Sequence, residues 1–66
     1  MRTMYKITRT IDGKDAGTLY NFPYIRDARK RLGEIAAACR GEITETNRDS
    51  FTAIVHGRTF YFAISK

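Results

Sequence analysis

One cysteine, one histidine, one proline and no tryptophan occur among the 66 residues, and each scarcity removes a class of protein. Cys39 has no partner for an internal disulfide, so the chain is not a disulfide-stapled secreted scaffold. A lone cysteine and a lone histidine, His56, spell out neither a metal-ligand spacing nor a paired nucleophile and base. The glycines at 13, 17, 33, 41 and 57 are scattered punctuation and form no phosphate-binding loop. No apolar run approaches membrane-spanning length, and the opening MRTMYK lacks the apolar core of a signal peptide. These absences predict a cytoplasmic protein with no membrane partner, no catalytic set, no metal site and no cofactor. Met4 is a second candidate start, which would leave Met1 to Thr3 as a tail.

What is present is an ordinary globular composition, 42% hydrophobic and 29% charged. It predicts one small domain over residues 1–66, of the size that buries only about 60% of its unfolded surface. The net charge is +5. Nine of the twelve Lys and Arg residues fall within positions 1–40, against four acidic residues there. Positions 42–66 balance, three against three. The excess therefore belongs to the first half of the chain. It suits a polyanionic partner, and it equally suits a solvated, soluble surface.

The stretch around which the chain is organised is FPYIRDARKRLGEIAAACR. Ile25, Ala28, Leu32, Ile35, Ala36 and Cys39 recur at the spacing of one helical face. Pro23 fits a first helical turn, Asp27 and Arg40 complement the helix dipole, and Gly41 supplies a left-handed terminator. The helix is predicted over 23–40. Cys39 lies on its apolar face and reads as a small buried hydrophobe.

On either side of the helix lie two hairpins. Residues 4–22 turn at Asp12-Gly13, a type I′ signal. A two-residue turn there pairs Ile11 with Lys14, Arg9 with Ala16, Ile7 with Thr18 and Tyr5 with Tyr20. One face then carries Tyr5, Ile7, Ile11, Tyr20 and Phe22, and the other Lys6, Thr8, Thr10, Asp15 and Asn21. Gly17, a second breaker, allows a looser loop over 12–17 instead. Residues 51–55 and 59–65 turn at His56-Gly57 and pair Val55 with Arg58, Ala53 with Phe60 and Phe51 with Phe62. Phe51, Ala53, Val55, Phe60, Phe62 and Ile64 share one face, while Thr52, Ile54, Thr59, Tyr61 and Ala63 share the other. Residues 42–46 form a short polar strand or merely lead into the next one. The predicted fold class is α+β. A single antiparallel sheet of four or five strands carries one helix on its apolar face, in the order ββαβββ or ββαββ.

Two surfaces stand out as candidates for binding. Arg26, Arg29, Lys30 and Arg40 fall on one flank of the helix, around small Gly33 and Ala37. Such a flank could meet a phosphate backbone, or it could be a solvated face. On the sheet face away from the helix, Tyr61 and Ile54 lie near each other, with Lys6 on the same side. The strand RTFYFAI looks like the aromatic strand of an RNA-recognition motif. It lacks that motif's glycine after the basic residue, and the chain lacks the second helix.

The plan MYKITRTIDGKDAGTLY as hairpin, IRDARKRL as helix and FTAIVHGRTFYFAI as closing hairpin resembles the small orphan α+β proteins of phages, prophages and related mobile elements. That resemblance implies a non-enzymatic module that binds a host protein, as inhibitors of bacterial defence systems do. Members that mimic DNA are usually acidic, and this chain departs from them in charge. The leading expectation is a basic protein-binding module acting through the open sheet face or the basic helix flank. The alternative is a DNA- or RNA-binding domain using that flank and the sheet. The residues leave monomer and homodimer equally open.

Overall fold

A computed structural model describes residues 4–66; the tail expected from Met1 to Thr3 lies outside the described residues. The chain forms β1 (Tyr5–Ile11), β2 (Lys14–Phe22), α1 (Ile25–Ala38), β3 (Glu42–Thr46), β4 (Ser50–Val55) and β5 (Arg58–Ser65). The strands make one antiparallel sheet in the order β2-β1-β5-β4-β3. The architecture is α+β with five strands, and residues 42–46 are a strand in their own right, at one edge.

Both turns are two-residue turns, with positive φ at Asp12 (51°), Gly13 (82°), His56 (51°) and Gly57 (78°). That is the type I′ geometry whose twist matches the strands it joins. From His56-Gly57 the expected pairs all form: Val55 with Arg58, Ala53 with Phe60 and Phe51 with Phe62. From Asp12-Gly13 only the first pairs hold, Ile11 with Lys14 and Thr10 with Asp15. Register shifts follow between Thr10 and Thr8 and again between Thr8 and Ile7. The expected pairs Ile7–Thr18 and Tyr5–Tyr20 are therefore replaced by Ile7–Tyr20 and Tyr5–Phe22. Gly17, at φ 95°, adopts a backbone that other residues resist, and its N–H donates to Asp15 Oδ1 at 2.9 Å. Leu19 is the extra residue at the second shift and packs against the core.

The core cluster is Ile7, Leu32, Phe51, Ala53 and Phe62, with Ala28 buried beside it. Leu32 sits at the centre of the helical stripe, as its spacing predicts. Phe51 and Phe62, paired across β4 and β5, stack with centroids 4.9 Å apart. Aromatic cross-strand pairs of this kind are the strongest units of sheet packing. Cys39 is half-buried against this cluster, and its Sγ accepts a hydrogen bond from the Gly41 N–H at 3.4 Å.

The helix is shorter than its sequence pattern at both ends. Tyr24 is its N-cap, with extended backbone and no side-chain cap, so Pro23 precedes the helix instead of opening it. Cys39, at φ −68° and ψ 129°, ends it by turning extended, which leaves Arg40 beyond the last turn. Gly41 is not among the positive-φ residues and so is not a left-handed terminator. Its glycine is needed for another reason. A Cβ there would collide with the backbone oxygen of Ile54 and the side chain of Val55. The connection from α1 to β3 passes directly against β4.

Candidate functional site

Among the described residues nothing covers the face of the sheet opposite the helix. Register places Asp15, Thr10, Tyr61, Thr52 and Glu45 in one row across all five strands. The neighbouring row carries Thr59, Ile54 and Glu42. Tyr61 and Ile54 are therefore diagonal neighbours, 41% and 40% exposed, surrounded by threonines. The sequence predicted both on this face. Lys6 shares it too, but stands at the far end, paired with Ser65 and Asn21. Among the described residues it is the one cation on this face, which also carries the carboxylates of Asp15, Glu42 and Glu45.

The basic flank of the helix does not survive as one surface. Its four cations enter four environments. Arg29 points to the β3–β4 turn, where its Nε donates to Asp49 Oδ1 at 2.7 Å and its second nitrogen reaches Oδ2 at 3.5 Å. The hydrogen bond to Asp49 raises the Arg29 pKa, and the hydrogen bond from Arg29 lowers that of Asp49 below the ordinary carboxylate range. Asp49 is itself fixed, because its carbonyl accepts from the Ile64 N–H at 2.8 Å. Arg26 lies over the exposed ring of Tyr24, 5.8 Å from its centroid. Lys30 lines a depression above β2 together with Tyr20, Phe22, Asp27 and Glu34, so it shares its surroundings with two acids. Arg40 lies at the opposite end, past the helix terminus, beside Val55 and Phe60. On the β2 side, Arg31 covers the Tyr20 ring at 4.4 Å and bonds Glu34 at 3.3 Å.

A wheel projection places residues around one helix; it cannot show what the neighbouring strands bring to each. Asp49 is twenty positions from Arg29 and reaches it only because β3 and β4 fold back beneath the helix. Among the described residues no cluster of His, Cys, Asp and Glu could hold a metal ion, and no helix is long and apolar enough to cross a membrane.

The sequence reading passed over the cations among the apolar residues. Alternation already places Arg9 between Ile7 and Ile11, and Arg58 opposite Val55. Both lie on the helix side of the sheet in the observed register. Comparison of the chain with protein-family models, with curated proteins and with solved structures returns no match.

Proposed function

We propose that this protein is a non-enzymatic binding module that engages another protein through the uncovered face of its sheet. The observation that carries this reading is the exposed Tyr61–Ile54 pair, set in a flat field of threonines at the middle of that face. Tyrosine supplies contact area with few rotamers to lose and a hydroxyl to bond, and so is favoured at protein interfaces. A nucleic-acid reading draws less support. The face around Tyr61 holds Asp15, Glu42 and Glu45, which repel phosphates, and Arg29 is already paired with Asp49. Resemblance to small phage-type proteins fits a module of this kind acting on a host protein.

The test is capture from a bacterial lysate on the immobilised protein, with and without nuclease. The expected result is a specific protein retained after nuclease treatment and lost with Tyr61→Glu, a surface change that leaves the fold intact. Retention that vanishes with nuclease, or that ignores Tyr61→Glu, overturns the reading. Nuclease-sensitive retention would promote the DNA- or RNA-binding alternative.

A further inference from the structure

On its other face the sheet is covered only in part, because α1 ends while the two hairpins continue to their turns. Beneath the last helical turn lies an open groove of about 340 Å³. Its wall is Ile35, Ala38 and Cys39, and its floor is Val55, Phe60 and Phe62. Ile11 extends the same apolar floor, since it pairs with Phe60.

Cations surround this floor. Arg40 lines the groove directly. Arg58 pairs with Val55, Lys14 with Ile11 and Arg9 with Phe62, so all three share the face of the groove residues. None of these four makes an ion pair among the described residues. The Nε of Arg9 is buried and has no hydrogen-bond partner among the described residues. No carboxylate lines the groove. Glu34, nearest along the helix, is held by Arg31, and the Asp12 carboxylate at the tip accepts from the Thr59 N–H at 2.9 Å.

We infer that this groove docks an acidic peptide segment of a partner protein, in which an aliphatic or aromatic pair is flanked by Asp and Glu. The apolar side chains cover Phe60 and Val55. The carboxylates meet Arg40, Arg58 and Lys14. Charge complementarity and apolar burial select the same occupant. A second copy of this chain, at +5, brings like charge to the rim. A nucleic acid brings the charge but nothing to fill the floor. A bilayer brings both, on a surface too flat to enter a recess between helix and sheet.

The groove is distinct from the Tyr61 face, and the two are tested separately. The probe is a labelled peptide with a Leu-Phe pair among Asp and Glu residues, titrated against the whole protein. Two controls replace its acids by Asn and Gln, or its Leu-Phe pair by Ser. The expected result is binding of the parent, with each control weaker by about tenfold or more. Amide shifts should fall on Ile35, Ala38, Val55 and Phe60 and spare Ile54 and Tyr61. Arg40→Glu combined with Arg58→Glu should weaken the parent peptide by about tenfold. Ala38→Trp should block it by filling the groove, with thermal melting confirming that both variants fold. Lack of binding by the parent, equal binding of either control, or shifts on the Tyr61 face overturns the inference. So does displacement of the peptide from the same residues by duplex DNA or phosphatidylserine vesicles, or self-association that Ala38→Trp abolishes. Loss of lysate capture in Tyr61→Glu, with peptide binding unchanged, would separate this inference from the function proposed for the open face.

Discussion

The hairpin β4–β5 keeps one register from Val55–Arg58 at its turn to Ser50–Ala63 at its far end, whereas β1–β2 shifts register twice between Thr10 and Ile7. The turns themselves are alike, with nearly the same φ at both central positions. The difference arises further along. In β4 and β5 the residues that pack in the core fall at every second position, so turn geometry and burial demand the same pairing. In β2 the residues that reach the core are Leu19 and Phe22. Their spacing is odd, and a regular strand cannot turn both to one face. The register shift at Leu19 resolves that conflict, and the glycine at position 17 supplies backbone freedom close by. A turn therefore governs the pairs nearest to it, and packing governs the rest.

The largest test of this contrast truncates one aromatic side chain in each hairpin. Phe51→Ala deletes the stacked partner of Phe62 and should cost roughly 3–5 kcal/mol, enough to unfold so small a domain. Tyr20→Ala, on the irregular hairpin, removes an exposed ring that lies under Arg31 and beside Phe22; it should cost about 1 kcal/mol. Denaturant midpoints compare the two directly. Equal losses would mean that the two hairpins share the burden of the core.

An intermediate effect is expected at Gly17. Nothing lies within 4 Å of a Cβ added there, so the cost of Gly17→Val is chiefly conformational. At φ 95° a β-branched residue should cost about 1–3 kcal/mol. Should Gly17→Val melt like the parent, the strand has a second register available and the contrast between the hairpins is weaker than drawn.

The smallest expected effect lies at the Arg29–Asp49 pair, which fastens the helix to the regular half of the sheet. Both side chains are partly exposed, so salt screens the pair. The Asp49 pKa is lowered in the folded protein by its hydrogen bond from Arg29. The pair therefore contributes stability above the ordinary carboxylate range, and loses it as pH falls through the lowered value. Asp49→Asn should melt slightly below the parent near neutral pH, and the gap should close in acid. A gap that persists unchanged in strong acid would show that the residue acts through its backbone turn and not its charge.

Much of the fold was legible because local signals agreed with burial. The helix stripe, both turns, the second hairpin's register and the exposure of Tyr61 and Ile54 all follow from spacing. What was not legible depended on distant partners. The shift at Leu19 is settled by a core built largely from β4 and β5. The helix ends early because Gly41 must pass against Ile54, a contact between elements that no local cap pattern encodes. The basic flank reads as continuous on a wheel, yet Asp49 claims Arg29 and the depression over β2 takes Lys30. The cationic rim of the groove was visible in principle from strand alternation. Arg9 and Arg58 are the signals, since each stands at a position where alternation calls for an apolar residue.

The position of β5 bears on how the chain folds. This strand lies at the middle of the sheet, with β1 on one side and β4 on the other. At the tip, Asp12 and Thr59, 47 residues apart, exchange two hydrogen bonds, the Asp12 N–H to the Thr59 carbonyl and the Thr59 N–H to the Asp12 carboxylate. A chain lengthening from its N-terminus can form the first hairpin and the helix early, but Ile7 and Leu32 lack Phe51, Ala53 and Phe62 until the last hairpin arrives, and β1 lacks its second neighbour until residues 58–65 do. Closing so long a loop before any compensating contact forms makes the step entropically costly. Refolding should therefore be slow for a domain of this size, on the order of milliseconds to seconds, as expected for sheets built on distant pairings. The Thr59 amide, exposed at a loop tip yet bonded across the two hairpins, should gain its protection from hydrogen exchange only in that final step.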